Sequence, residues 1–100
     1  MHLKLRFAPE VEADLDEAYA WYEGQRSGLG EEFLACVDAR LHALCRAPEA
    51  HGFAYLGYRR ALIRRFPYQV FYELDHDILT VYCVFHTSRE QEKWKQRLNR

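Results

Sequence analysis

Six side chains in the second half of this 100-residue chain are of the kind that handle phosphate: Arg59, Arg60, Arg64 and Arg65, then His86 and Arg89. A guanidinium grips a phosphate or carboxylate through two parallel hydrogen bonds, so several close together make an anion surface. His86 has an ordinary pKa near the working pH and could pass a proton in the same neighbourhood. Such a set suits binding of an anion, with acid–base chemistry by His86 as the further option. Each residue also has a plainer reading. Arginines on an edge strand keep sheets from pairing edge to edge, and a histidine at a strand end serves as a hydrogen-bonded structural group. Residue types alone leave both readings open.

Other chemistries find less support. His42 and Cys45 are three apart and Cys36 lies nine before Cys45, but the chain has no C-x-x-C or H-x-x-x-H pair. A structural zinc wants four ligands in recognisable pairs, so no metal is expected. Cys45 and Cys83 fall in apolar stretches, where a thiol is inert. There is no glycine-rich phosphate loop, and no cofactor is expected. Cys36, Cys45 and Cys83 make an odd count without a paired framework and read as reduced thiols. The opening Met1-His2-Leu3-Lys4-Leu5-Arg6 has no apolar core of the signal-peptide kind, and no run approaches a transmembrane length. The expectation is a cytoplasmic protein with no membrane partner.

The elements that must position the arginines follow from periodicity. Leu3, Leu5 and Phe7 alternate with Lys4 and Arg6 as in a half-buried strand. Ala8-Pro9-Glu10 then starts a helix, proline being favoured at the first helical position. Val11, Leu15, Ala18, Tyr19 and Tyr22 make its apolar stripe. Glu10, Glu12, Asp14, Asp16 and Glu17 crowd its first turns, where negative charge suits the helix dipole, an explanation that calls for no function. Gly24 and Ser27-Gly28-Leu29-Gly30 break the chain. A second helix follows with Phe33, Leu34, Val37, Leu41, Leu44 and Cys45 on its apolar side, and Pro48 stops it after Arg46. A short turn between two amphipathic helices makes a helical hairpin.

Beyond it the period changes to two. Tyr58 to Arg65 reads as a strand, with Arg60, Leu62 and Arg64 on one face and Arg59, Ala61, Ile63 and Arg65 on the other. Pro67 interrupts. Tyr68, Val70, Tyr72 and Leu74 then alternate, Asp75-His76-Asp77 turns, and Ile78 to Phe85 is almost wholly apolar, an antiparallel pair with the apolar strand central. Ser88 to Leu98 is polar, with a short terminal helix around Trp94 and Leu98. The predicted class is α+β, one domain over residues 1–100: a helical hairpin packed on a small antiparallel sheet, in the order β-α-α-β-β-β with a last short helix. Trp21 and Tyr22 are adjacent on the first helix and cannot both face the sheet, so one stays exposed for a partner.

Net charge divides along the same line. Residues 1–50 carry five basic side chains against ten acids, hence −5, and residues 51–100 carry nine against five, hence +4. The basic half is the one to meet an anionic partner.

At this point a resemblance can be stated. Ala8-Pro9-Glu10 before an acidic helix with Ala13, Leu15 and Tyr22, and Gly28-Leu29-Gly30-Glu31-Glu32-Phe33 at the head of the next, resemble ParE-type toxins. So does the later order Gly57-Tyr58-Arg59-Arg60, Arg65-Phe66-Pro67-Tyr68, Val70-Phe71-Tyr72, His86 and Arg89. The chain is thus similar, from about Leu5 to Trp94, to the ParE/RelE superfamily of type II toxin–antitoxin toxins, of the plasmid-stabilisation type. The resemblance implies a toxin neutralised in a hetero-oligomer by a cognate antitoxin. On the ParE side, which the Phe66-Pro67-Tyr68 segment and short tail favour, the target is DNA gyrase and the chain is no enzyme. Trp21, Arg59, Arg60, Arg64 and Trp94 are then the target- or antitoxin-binding residues. On the RelE side it is a ribosome-dependent mRNA endoribonuclease, with Arg65, His86 and Arg89 as catalytic residues. That set lacks a late tyrosine, since none follows Tyr82, and lacks any lysine between Lys4 and Lys93. A third implied possibility is an inactive orphan that only binds a protein.

Overall fold

The computed structural model describes residues 3–89 and 91–99. Both amphipathic segments are helices, α1 (Val11–Gln25) and α2 (Leu29–Arg46). Helix α1 begins two residues later than Pro9 would have it: Pro9 and Glu10 form a turn, closed by the Val11 N–H on the Ala8 carbonyl at 3.1 Å. The connection between the helices is tied by one carboxylate. Glu23, in the last turns of α1, accepts the N–H of Gly28 at 2.9 Å and of Gly30 at 3.0 Å, placing negative charge on the positive end of α2. Gly28 sits at φ 90°, in the left-handed region that a side chain resists. At Gly30 a Cβ would lie 2.7 Å from Tyr19 Cδ2, so the close approach of α1 and α2 requires the missing side chain.

The hairpin packs on a five-stranded sheet in the order β1-β5-β4-β3-β2. Its strands are β1 (Lys4–Phe7), β2 (Phe53–Tyr55), β3 (Tyr58–Leu62), β4 (Tyr68–Asp75) and β5 (Ile78–His86). The α+β class and the helical hairpin are as expected, and the sheet differs from expectation in three respects. Strand β1 pairs parallel with β5, Lys4 opposite Ile78 through Phe7 opposite Val81, so the sheet is mixed. Nothing local specifies that pairing between distant segments. Strand β2 is additional, and three residues are too few to show a period. And β4 lies at the centre, with β5 beside it.

The sheet is covered on both faces. Phe33, Val37 and Leu44 of α2 and Val11 and Ala18 of α1 meet Val70, Tyr72, Leu79 and Val81 on one face. On the other, α3 (Gln91–Leu98) lays Trp94 and Leu98 over Phe71, Cys83 and Phe85. Tyr68 through Tyr72 are consequently all buried, the alternation having no solvent side to mark. A bulge sets Phe71 opposite Cys83 but Tyr72 opposite Val81, which turns the neighbours Tyr82 and Cys83 both toward the α3 face.

Candidate functional site

Trp21 and Arg89 meet at one end of the molecule. Trp21 lies on α1 beside the stripe that packs on the sheet and is 51% exposed, whereas Tyr22 turns inward against Phe33, Phe66 and Tyr68. The Arg89 guanidinium stands 5.4 Å from the Trp21 ring centroid, a cation–π contact. Around them opens a cleft of about 540 Å³, floored by Ala18, Tyr68, Val84 and Phe85, with Glu17 and Lys93 at its rim. Burial raises the Tyr22 phenol's pKa, and the charge of Arg89 works in the opposite direction.

His86 ends β5 and stands edge-on to Tyr68, one of the residues lining the cleft, at 5.4 Å. Its Nδ1 accepts the backbone N–H of Ser88 at 3.1 Å and of Arg89 at 3.2 Å. That arrangement commits the Nδ1 lone pair to shaping the turn and puts the ring proton of the neutral form on Nε2. The histidine thereby sets where Arg89 leaves the backbone.

The strand arginines divide among separate surfaces. Strand β3 stops at Leu62, and Arg65 takes φ 72°, so the expected alternation through Arg65 ends three residues early. Arg60, opposite Phe71, emerges beside the α3 face and is exposed. Arg59 is held by the loop before β2, donating to the His51 carbonyl at 2.6 Å with its guanidinium 4.1 Å from the Phe53 ring centroid. Arg64 and Arg65 face α2, where they line a second groove with Ala35, Cys36, Ala39, Arg40, Ala43 and Arg46. Arg65 donates to Glu32 at 2.9 Å, and so does Arg26. Those two bonds hold the Glu32 carboxyl below the usual range, and Glu32 in turn keeps Arg65 firmly charged. Arg65 is therefore in a different groove from Arg89, whose backbone N–H His86 accepts. Trp94, expected at a contact surface, is buried, stacked on Phe71 at 4.5 Å and edge-on to Tyr55 at 5.3 Å. Among the described residues no group of His, Cys, Asp or Glu stands together as a metal site.

One pair escaped the sequence reading. Asp14, assigned there to the dipole-favouring acids of the first helix, is buried. Arg97 of α3 binds it with both guanidinium nitrogens, NH2 to Oδ1 at 3.0 Å, and the Val84 N–H donates to Oδ2 at 3.1 Å. Burial works against the charge of Arg97, and the hydrogen bonds and charge of Asp14 more than offset it, leaving its pKa raised. A signal did exist: position 14 falls three after Val11 and four before Ala18, on the buried stripe. An acid there demands a partner, but sequence could not say that the partner lies 83 residues away.

The fold, a helical hairpin on one face of a mixed five-stranded sheet, is shared with solved toxin structures. A chain of the chromosomal ParDE toxin–antitoxin system from P. aeruginosa matches with a TM-score of 0.77 at 14% identity, covering 87% of this chain and 98% of that one. The E. coli RelE toxin matches as well. A doubly substituted variant in the free state gives a TM-score of 0.61 at 17% identity, covering 99% of this chain and 97% of that one. The isolated toxin gives 0.53 at 17%, covering 99% and 98%. No curated protein matches by sequence. The chain itself belongs to the ParE toxin family: the family model, described as the ParE toxin of the type II toxin–antitoxin system parDE, matches residues 5–91. The chain is the toxin component of such a system, whose partner is a cognate antitoxin. No helix among the described residues is long and apolar enough to cross a membrane.

Proposed function

We propose that this chain is a cytoplasmic, single-domain poison of DNA gyrase that acts by binding and is held inactive in a hetero-oligomer with its antitoxin. The observation that carries this reading is the dispersal of the nuclease set. Cleavage by a ribose 2′-hydroxyl needs a base, an acid and positive charge around one phosphate. Here Arg65 is ion-paired to Glu32 on the α2 side, while His86 spends its Nδ1 on a backbone turn beside the Trp21 cleft. What the surface offers instead is contact chemistry: the exposed Trp21 under Arg89, Arg59 on Phe53, and exposed Arg60 and Arg64. An aromatic ring with a stacked guanidinium is typical of a protein-binding anchor.

The test is induction of the chain without antitoxin while DNA and protein synthesis are pulse-labelled, with purified protein added to gyrase supercoiling and cleavage reactions. DNA synthesis failing first, with gyrase arrested, is the expected result. Gyrase left untouched at high concentration would overturn it. The second reading, a ribosome-dependent mRNA endoribonuclease, draws on one observation: Arg89 and Lys93 share a cleft with an exposed tryptophan, as a phosphate and a stacked base would need. It requires protein synthesis to stop first and toxicity to disappear in His86→Ala and Arg65→Ala. Normal growth on induction would instead mark an inactive, partner-binding member.

A further inference from the structure

The two outer strands of the sheet are guarded in ordinary ways. Strand β2 is three residues long, and Arg59 lies over its Phe53 ring. Strand β1 is four residues long and exposes Lys4 and Arg6. Short and charged edge strands resist pairing with another chain. A further stretch of edge opens where β1 stops. Its last partner on β5 is Val81, whose carbonyl takes the Ala8 N–H at 2.8 Å. Strand β5 runs on to His86, and among the described residues no strand lies on the outer side of Tyr82 to His86. From Ile78 to Phe85 this strand holds no charge and no proline, so it has no guard of its own. Asp14 and Arg97 supply one. Asp14 Oδ2 accepts the Val84 N–H at 3.1 Å, and Arg97 donates to the Tyr82 carbonyl at 3.2 Å. Those are backbone groups that a neighbouring strand would otherwise take. The same pair fastens the far end of α3. The near end turns on Thr87 to Arg89, where the Thr87 N–H meets the Pro67 carbonyl at 2.9 Å and His86 Nδ1 holds the Ser88 and Arg89 N–H groups.

We infer that α3 is a hinged cover whose Asp14–Arg97 clasp closes a latent self-pairing edge, and that with the clasp open two copies of the chain join antiparallel through residues 82–86 of β5. A second copy is the occupant because an apolar, uncharged strand complements itself. An antiparallel pair about a two-fold axis needs nothing but the same strand twice. Clefts of about 540 and 460 Å³ flank the clasp along this edge, both lined by Asp14, Glu17, Phe85 and Lys93, and they leave an incoming strand room once Arg97 has moved away. Val84 and Phe85 also floor the Trp21–Arg89 cleft. Pairing there takes that contact surface out of use, so the clasp keeps the chain both monomeric and able to present it. The inference is independent of what the toxin acts on.

The experiment uses the full chain. Arg97→Met opens the clasp, and molar mass is followed by light scattering over a wide range of protein concentration, at a temperature where circular dichroism shows the variant folded. The parent should stay monomeric, and the variant should form a dimer whose share grows with concentration. Arg97→Lys, which keeps a cation for Asp14, should remain a monomer. Adding Val84→Pro to Arg97→Met should abolish the dimer, since it removes an N–H that points away from β4. Amide exchange gives the second readout. In the parent, Val84 should exchange in step with the amides of α3 and sooner than those of the β4 core, as a locally opening cover requires. In the variant, Val84 should exchange roughly tenfold more slowly in the dimer than in the monomer, the worth of one regained hydrogen bond. A folded Arg97→Met chain that stays monomeric at every concentration overturns the inference. So does a dimer that survives Val84→Pro or leaves Val84 exchange unslowed. Where Arg97→Met fails to fold, exchange in the parent decides: a Val84 amide that opens only together with the β4 core means that α3 is no cover, and that result overturns the inference as well.

Discussion

Replacing Arg97 by methionine keeps an aliphatic stem beside Phe85 and deletes the guanidinium that answers Asp14. The wild-type guanidinium lies 4.5 Å from the Phe85 ring centroid, donates to both Asp14 oxygens and also reaches the Tyr82 carbonyl at 3.2 Å. The two side chains are 16% and 5% exposed, so little water is on hand to take the place of Arg97. Breaking a buried pair from one side costs about 3–5 kcal/mol, since the carboxylate stays buried without its cation. For a domain of this length that lowers Tm by at least about 12 °C, at roughly 4 °C or more per kcal/mol. Because the pair joins α1 to α3, the loss should begin with α3 lifting from the sheet. Trp94 then leaves Phe71 and its emission moves to the red. The assay is urea unfolding followed by circular dichroism and by tryptophan fluorescence, the latter in a Trp21→Phe background so that Trp94 reports alone. The double replacement Asp14→Leu/Arg97→Met should recover much of the loss, because no buried charge is left. An Arg97→Met protein within about 0.5 kcal/mol of the parent, the range of an ordinary surface change, would refute the reasoning.

The hairpin turn gives a second expectation. Gly30→Ala puts a methyl 2.7 Å from the Tyr19 ring and should cost about 1–3 kcal/mol in a chemical melt, as overpacking does. A neutral result would mean that Tyr19 moves aside freely. Cys83 supplies an alkaline marker, since burial pushes its thiol up to about 12 from 9.0. A group whose folded pKa is raised stabilises below its unfolded value, so stability should fall as pH climbs from about 9 toward 12, and Cys83→Ser should flatten that slope. In native protein Cys83 should stay unlabelled by a thiol reagent at pH 9, and rapid labelling would disprove its burial. Glu32 acts in the opposite sense, its pKa being lowered by hydrogen bonds from Arg65 and Arg26. Its contribution is present above the ordinary value of 4.5 and is lost as pH falls below it, so Glu32→Gln should remove part of the acid sensitivity there and nowhere else.

Local pattern determined most of the elements. The stripes Val11–Ala18 and Phe33–Leu44 defined two helices, Gly28 and Gly30 marked their turn, and Asp75-His76-Asp77 separated two strands, because each depends on neighbours a few residues away. The exposure of Trp21 against Tyr22 followed from helix geometry in the same manner. The tertiary structure alone decided what depends on distant partners. The parallel pairing of β1 with β5 and the union of Asp14 with Arg97 each join segments about 70 or more residues apart in the chain, and the covering of the second sheet face by α3, though nearer in sequence, depends on how the chain turns after β5. The arginines show the division most plainly. Their types and spacing announced an anion surface, yet a left-handed Arg65 and the early end of β3 sent Arg64 and Arg65 to α2, while Arg89 stands over Trp21. One backbone turn of that kind has no period to reveal it, and its conformation follows from the packing of Phe66 and Tyr68 against Tyr22 and Phe33.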